Sequence, residues 1–167
     1  MTAAVAAPAV VEERTGSDGR GLAFADFHCH TRHSRDSRLT EDHFINLALE
    51  RGLTHVAVTD HNTVEGAIAV RNRAHEMGVA DRLSVILGEE VSSADGEIVA
   101  LFIGSTIPRG LGAEETADAI HAQGGLVSIP HPFDPFRRSH IRAEPLERLA
   151  ASRSSGSGRM CDRRKGS

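Results

Sequence analysis

Short aliphatic segments alternate with amphipathic segments along most of this chain, and this alternation limits the folds open to it. Five aliphatic runs have the length and composition of buried strands, at residues 22–27, 54–59, 83–87, 98–103 and 126–129. Four segments have a helical pattern, at residues 41–51, 64–77, 113–123 and 144–151. Strands recurring at a spacing of roughly 30 residues favour βαβ units and predict an α/β fold with a parallel sheet.

The predicted helices carry residues that begin and end helices. Thr40 and Thr63 precede the first two helical segments, where a hydroxyl can accept a hydrogen bond from a backbone N–H group of the first turn. Gly52, Gly78 and Gly124 follow the first three segments, where glycine readily takes the left-handed conformation that ends a helix. These boundaries define the connections between strands and helices.

The composition predicts one domain at 22–151, between a disordered leader at 1–21 and a disordered basic tail at 152–167. The tail interrupts the fourth helix, and truncation or a reading-frame change near Ala150 is the hypothesis that this interruption suggests. No apolar run approaches the length that spans a membrane, and Cys29 and Cys161 cannot form a disulfide framework, so a cytoplasmic location is predicted. A net charge of −4 and the lack of Trp and Tyr argue against an extended nucleic-acid surface and favour a small substrate.

Residues that can bind metal ions follow the ends of four predicted strands. Side chains two residues apart in an extended segment point to the same side, so His28 and His30 can present two imidazoles to one ion. The candidates after the other strands are Asp60, His61, Glu89, Glu90 and His131. Because the carboxyl ends of parallel strands converge on one mouth, these side chains are predicted to form one metal site.

Several candidates have a second interpretation. Asp60 can be a metal ligand or the cap of the helix that follows it. Only one of Glu89 and Glu90 can face the mouth if both are extended, and we predict that it is Glu90. Asp36 can hold a second ion or form a loop turn. Glu97, at the start of a predicted strand, can reach the site or remain outside it.

The set of donor atoms predicts hydrolytic chemistry. Mixed nitrogen and oxygen ligands suit zinc, manganese or iron, and their number predicts two or three divalent ions. Adjacent cations lower the pKa of a water molecule and neutralise charge on a phosphoryl oxygen. The sequence contains neither the glycine-rich loop of nucleoside triphosphatases nor a Gly-x-Ser-x-Gly motif. Arg137 and Arg138 can hold a substrate phosphate or form a solvated charge pair on a loop.

These motifs together resemble the PHP family, the polymerase and histidinol phosphatase domain, over residues 25–148. The matching segments are Asp26-Phe27-His28-Cys29-His30-Thr31 with Ser34 and Asp36, Thr59-Asp60-His61-Asn62-Thr63, Gly88-Glu89-Glu90-Val91-Ser92 and Ile129-Pro130-His131-Pro132. The resemblance implies an α/β fold of PHP type, a distorted (β/α)7 TIM-like barrel whose mouth binds two or three divalent ions. It implies metal ligands at His28, His30, Asp36, His61, Glu90 and His131, and catalytic roles for Asp60, His61 and Glu90.

The chain departs from the family pattern at two places. Glu97 stands where many relatives have another histidine, and no histidine follows His140, so a late Asp-x-His pair is missing. We therefore expect a partial barrel, truncated at the C-terminus. The predicted function is hydrolysis of a phosphate ester of a small metabolite or nucleotide by metal-activated water. The alternatives are a catalytically inactive metal-binding fragment and a polymerase-associated proofreading module.

Overall fold

The structure is a computed structural model, which describes residues 22–132, 134 and 140–155. The elements in chain order are β1 (Ala25–Cys29), α1 (Glu41–Glu50), β2 (His55–Val58), α2 (Glu65–Glu76), β3 (Ser84–Ser92), β4 (Glu97–Leu101), α3 (Ala113–Ala122), β5 (Leu126–Ser128) and α4 (Ala143–Ser155). The predicted α/β class is confirmed.

One five-stranded sheet, with the strand order β1-β2-β3-β4-β5, curls into a half-barrel. The strands β1, β2 and β3 are parallel, whereas β4 is antiparallel to both of its neighbours. The prediction of a wholly parallel sheet is therefore wrong at β4. Only residues 93–96 connect β3 to β4, and a parallel pair needs a crossover of about a dozen residues or more, so this connection forms a hairpin.

The reversal of β4 brings the beginning of that strand to the end of the sheet where the parallel strands finish. Its first residue, Glu97, pairs with Ser92, the last residue of β3. Because β5 runs in the same direction as β1 to β3, the loop that follows it and carries His131 leaves the sheet at this end as well. Residues from all five strands or their adjoining loops therefore meet there.

Two strands reach further toward this end than predicted. The strand β1 continues to Cys29, so His28 lies within it. The strand β3 continues to Ser92, so Glu89 and Glu90, predicted to follow the third strand, lie inside it. The apolar run that predicts each strand stops early, but backbone pairing with the neighbouring strands continues through the polar residues.

Helix boundaries agree with the predicted ones within a few residues. The Thr40 hydroxyl accepts a hydrogen bond from the His43 backbone N–H at 3.4 Å, as predicted. The helix α2 begins one residue later than predicted, after Val64, and the Thr63 hydroxyl instead accepts from the Glu65 backbone N–H at 3.2 Å. The glycines that end the first three helices have positive φ angles, at Gly52, Gly78 and Gly124.

The helix α4 continues to Ser155, past the end predicted at residue 151 and into the segment predicted as a tail. Residues 1–21 and 156–167 lie outside the described part of the chain, so the leader and the rest of the tail stay predictions. Within the described ranges, no helix has the length and apolar character needed to cross a membrane.

Apolar side chains cover both faces of the sheet. The larger cluster joins strand residues such as Val56 and Val58 to helix residues such as Ile45 and Ile120. A smaller cluster on the opposite face contains Ala57, Val99 and Leu101, with Ile86 packed against it. This alternation along β2 is the pleat expected of a strand buried on both sides. The packed sheet gives the residues at its ends fixed positions.

Candidate metal centre

Seven side chains with metal-binding atoms gather at the end of the sheet where β1, β2 and β3 finish. They are His28, His30, Asp36, His61, Glu90, Glu97 and His131. Six of them are the ligands predicted from the sequence. The seventh, Glu97, was left open there, and the hairpin between β3 and β4 brings it to the others.

Glu90 lies at the centre of this cluster and is only 1% exposed. Its Oε2 atom lies 3.2 Å from His28 Nε2, 3.1 Å from His30 Nε2 and 3.5 Å from His61 Nδ1. Its Oε1 atom lies 3.6 Å from His131 Nε2. One carboxylate is therefore surrounded by four imidazoles that come from three separate stretches of the chain.

The first two histidines face one another, as their spacing in an extended segment predicts. The Nε2 atoms of His28 and His30 are 3.0 Å apart, and the ring centroids are 5.0 Å apart with an interplanar angle of 29°. At this distance the two Nε2 atoms can share one proton in a hydrogen bond, or they can each offer a lone pair to the same cation.

Asp36 and Glu97 extend the cluster on the two sides of His61. The Nε2 atom of His61 lies 3.4 Å from Asp36 Oδ2, and its Nδ1 atom lies 3.8 Å from Glu97 Oε1. Asp36 Oδ1 also lies 3.6 Å from His30 Nδ1. Both acidic side chains are thus close to imidazole nitrogens, although Asp36 is mostly exposed and Glu97 is mostly buried.

Backbone pairing holds His61 beside Glu90. The two residues form a parallel bridge beyond the regular pairing of β2 and β3, with Asn62 N–H donating to the Glu90 carbonyl at 3.0 Å. The Asn62 side chain donates to Ser92 Oγ and accepts from Ser92 N–H, each at 2.9 Å. These bonds hold Asn62 at a φ of 55°, which asparagine tolerates better than most residues.

His131 approaches the cluster from the loop after β5. Its Nε2 atom lies 3.8 Å from Glu97 Oε2, in addition to its contact with Glu90. Its φ of 31° is uncommon for a residue with a β-carbon. Such conformations persist where the surrounding structure fixes them, and they concentrate at functional sites.

The charges in the cluster depend on one another. Burial would raise the pKa of Glu90, but hydrogen bonds from His28 and His30 and electrostatic interaction with His28 and His61 hold it well below its usual range. Burial lowers the pKa of His30, but the hydrogen bond and negative charge of Glu90, together with Asp36, outweigh it, so this pKa is raised. The cluster therefore holds an ionised carboxylate that attracts cations.

Two features show that these residues fit a divalent cation. Glu90 Oε1 is buried and has no hydrogen-bond partner among the described residues, so its lone pairs are available to an ion. Ligand atoms on a tetrahedral zinc ion, about 2.0–2.1 Å from the metal, lie roughly 3.3 Å from one another. The three distances among Glu90 Oε2, His28 Nε2 and His30 Nε2 are 3.0, 3.1 and 3.2 Å.

The ligand atoms form three overlapping groups, within each of which they lie no more than 4.8 Å apart. The groups are His28, His30 and Glu90; His30, Asp36 and His61; and His61, Glu90 and Glu97. Each pair of groups has one residue in common. Ions bound to neighbouring groups would therefore share a ligand.

Asp60 is wholly buried and belongs to none of these groups. Its Oδ1 atom accepts hydrogen bonds from the Thr31 N–H at 2.6 Å and the Ser34 hydroxyl at 2.9 Å, and its Oδ2 atom accepts from the Thr31 hydroxyl at 2.7 Å. The α2 cap residue, Val64, has no side-chain cap bond, so the interpretation of Asp60 as its cap is wrong. The carboxyl group instead holds the loop that carries His30.

Of the other predicted residues, the structure describes Glu89, which lies apart from the cluster. Glu89 faces the opposite side of the sheet from Glu90, where its Oε2 atom accepts from the Ile107 N–H at 3.0 Å and burial raises its pKa to about 7. Arg137 and Arg138 lie outside the described residues, so their role in substrate binding stays a prediction.

The hydrogen-bonding roles of Thr31, Ser34 and Asn62 were not predicted from the sequence. Each stands within four residues of a predicted histidine ligand, and each has a short side chain that can bond to a nearby backbone group. A short polar side chain close to a predicted ligand was therefore the sign in the sequence that could have pointed to these roles. It is also common in ordinary loops, so it cannot by itself identify the partner.

Sequence comparisons give the family. The PHP domain model matches residues 26–150. An uncharacterized protein of Methanocaldococcus jannaschii is 37% identical over 122 residues, which are 67% of this chain and 69% of that protein. The error-prone DNA polymerase of Cutibacterium acnes is 31% identical over 130 residues, which are 70% of this chain and 11% of the polymerase.

Solved structures share the fold. A proposed metal-dependent phosphoesterase from Bifidobacterium adolescentis matches with a TM-score of 0.60 and 18% identity, covering 77% of this chain and 74% of that one. A two-domain protein from Bacteroides vulgatus, which contains a predicted PHP-like metal-dependent phosphoesterase, matches with a TM-score of 0.60 and 20% identity over 77% of this chain and 41% of that one. With a family match over most of its length and this fold, the chain belongs to the PHP domain family.

Proposed function

We propose that this protein is a metal-dependent phosphoesterase that hydrolyses a phosphate ester of a small metabolite or nucleotide. The observation that carries the proposal is the cluster around Glu90, where three groups of ligand atoms share His30, His61 and Glu90. Shared ligands would keep ions close enough together to act on one phosphoryl group. Family membership and the names of the two structural neighbours support this reaction class.

Two or three zinc, manganese or iron ions are the proposed cofactors, held by the seven side chains of the cluster. When bound, such ions polarise a phosphoryl oxygen and lower the pKa of a water molecule. Because the pKa of Glu90 is held low, its side chain is already an ionised carboxylate at neutral pH and can bind a metal ion without first losing a proton. Its burial keeps bulk water from competing for this position.

The predicted catalytic residues have separate roles in this proposal. His61 and Glu90 lie among the ligand atoms and would be next to the reacting groups. Asp60, whose two oxygens are occupied by Thr31 and Ser34, would position the loop after β1 and would not contact the substrate. Arg137 and Arg138 remain the proposed contacts of the substrate phosphate, through bidentate guanidinium bonds.

Turnover of generic phosphomonoesters and nucleoside bisphosphates with added manganese or zinc tests the proposal. We expect His61→Ala to lower kcat/KM by about 100-fold or more, on the scale of losing one electrostatic group from an active site. His43→Ala is the matched control, because His43 is exposed on α1 and it is the His43 backbone N–H, which alanine keeps, that donates to the Thr40 hydroxyl. Equal activity of wild type and His61→Ala would remove the assignment.

A second candidate is a polymerase-associated proofreading module, favoured by the identity to the error-prone DNA polymerase. The same protein preparations can be given a primer-template with a mismatched 3′ end. This candidate would be favoured over the first by three results together. The wild type removes the mismatched nucleotide in a metal-dependent reaction, His61→Ala does not remove it, and the wild type does not hydrolyse small esters.

A further inference from the structure

The hydroxyl group of Ser34 is hydrogen bonded on three sides within the loop after β1. It donates to Asp60 Oδ1 at 2.9 Å and accepts from the His61 backbone N–H at 2.8 Å. The Nδ1 atom of His30 lies 3.3 Å from the same oxygen. Because Ser34 is only 4% exposed, bulk water has little access to these bonds.

The direction of the bond between Ser34 and His30 follows from the number of protons available. A hydroxyl group has one proton to donate and two lone pairs that accept. The proton goes to Asp60 Oδ1, which also accepts the Thr31 N–H and is therefore an acceptor. One lone pair accepts the His61 N–H, so the other can only accept a proton from His30 Nδ1.

We propose that Ser34 is a positioning residue that keeps a proton on Nδ1 of His30, so that a metal ion bound in the cluster displaces the proton of Nε2 and takes that lone pair. His30 Nε2 is the atom that lies 3.0 Å from His28 Nε2 and 3.1 Å from Glu90 Oε2. A histidine that binds a metal commonly donates its other N–H group to a carboxylate, a carbonyl or water. Here the acceptor of that hydrogen bond is a serine hydroxyl, which is itself held by the buried carboxyl group of Asp60.

Asp36 is the other acceptor near His30 Nδ1, and it does not replace Ser34 in this role. Its Oδ1 atom lies 3.6 Å from Nδ1, beyond hydrogen-bond distance, and its side chain is 54% exposed. Its other oxygen lies 3.4 Å from His61 Nε2, among the ligand atoms of the cluster. Ser34 is both closer to Nδ1 and shielded from water.

Nitrogen NMR of the zinc-bound protein, labelled with ¹⁵N-histidine, tests the tautomer directly, because a zinc-bound ring nitrogen and a protonated one give distinct signals. The His30 signals are identified through their connection to the His30 backbone. We expect a protonated Nδ1 in the wild type and a mixture of tautomers in Ser34→Ala. A protonated Nε2 in the wild type overturns the inference, as does an unchanged tautomer in folded Ser34→Ala. If Ser34→Ala does not fold, the wild-type spectrum alone decides.

Cobalt(II) titration measures the consequence for binding, which rests on the proposed function. We expect Ser34→Ala to weaken cobalt binding by about 10-fold or more, as is typical for partners of metal-binding histidines. Ser37→Ala is the matched control, since the Ser37 hydroxyl bonds to the His30 carbonyl and not to its ring. Equal weakening in both variants would show general loosening of the loop and overturn the positioning role. Failure of the wild type to bind zinc and cobalt would contradict the proposed function and the positioning role together, whereas bound metal with a protonated His30 Nε2 would overturn the positioning role alone.

Discussion

Glu89 and Glu90 are neighbours in β3 with opposite surroundings. Glu90 faces imidazoles that hold its pKa low, whereas Glu89 is wholly buried with one oxygen bonded to the Ile107 N–H. The other oxygen, Oε1, has no hydrogen-bond partner among the described residues. Because burial penalises the charged form, the protonated form of Glu89 suits its site better.

Replacement of Glu89 by glutamine should remove a pH dependence of stability. The pKa of Glu89 rises from an ordinary 4.5 in the unfolded chain to about 7 in the folded protein. As the pH rises from 4.5 to about 7, the unfolded chain releases a proton that the folded protein keeps, so the free energy of unfolding of the wild type falls. The loss is on the order of 3 kcal/mol and levels off above about pH 7. Urea unfolding with EDTA at pH 5 and pH 8 measures it.

Glu89→Gln cannot lose a proton, so its free energy of unfolding should fall less between the two pH values than that of the wild type. Glu50→Gln, at the exposed end of α1, is the control and should follow the wild type. If all three proteins lose the same stability from pH 5 to pH 8, the account of Glu89 is wrong.

The helix α2 packs closely against the residues that hold the first loop. A β-carbon added at Gly66 would overlap Asp60 Oδ2 and would come within 2.7 Å of the Thr31 hydroxyl. Glycine at this position in a helix costs about 1 kcal/mol relative to alanine. The close approach to Asp60 therefore explains why the first turn of this helix contains a glycine.

Gly66→Ala should consequently destabilise the protein, against the preference of alanine for helices. We expect a loss of about 1–3 kcal/mol in the free energy of unfolding, because the buried carboxyl group and its hydrogen bonds must move. Asn72→Ala, at an exposed position of the same helix, should change stability by less than about 0.5 kcal/mol. Urea titration would contradict this packing argument if Gly66→Ala proved as stable as the wild type or more so.

At the scale of elements, hydrophobic runs were sufficient to predict five strands and four helices. They did not predict strand direction, because direction depends on the length of each connection, and the short link between β3 and β4 forms a hairpin. The same reversal determines the place of Glu97, which the sequence left open. The continuation of β3 through Glu89 and Glu90 depends on pairing with β4, which no local pattern reveals.

Across the whole molecule, the cluster joins residues that are far apart in the chain, from His28 in β1 to His131 after β5. The spacing of the histidines and the positions of the strand ends were enough to predict five of its seven members. Asp36 was implied by the family resemblance, and Glu97 was left open. The supporting bonds of Ser34 and Asn62 were not predicted, because they depend on side-chain geometry within loops. A metal ion bound here would connect these distant segments and so favour the folded chain.

Metal ions should therefore raise the melting temperature. At a free metal concentration of 100 times Kd, binding adds about 2.7 kcal/mol to stability, which corresponds to a rise in Tm of roughly 5–10 °C for a domain of this size. Differential scanning calorimetry with and without zinc or manganese measures the rise. Glu90→Gln should lose most of it, while Glu65→Gln on α2 should keep it. An equal rise in both variants would place the binding outside the cluster.

Anomalous X-ray scattering from crystals grown with zinc or manganese tests the central claim most directly, because it locates ions without assuming activity. We expect peaks inside the cluster, with zinc lying about 2.0–2.1 Å from the Nε2 atoms of His28 and His30. Well-ordered crystals that show no peak beside Glu90, or ions bound only elsewhere on the protein, would contradict the account.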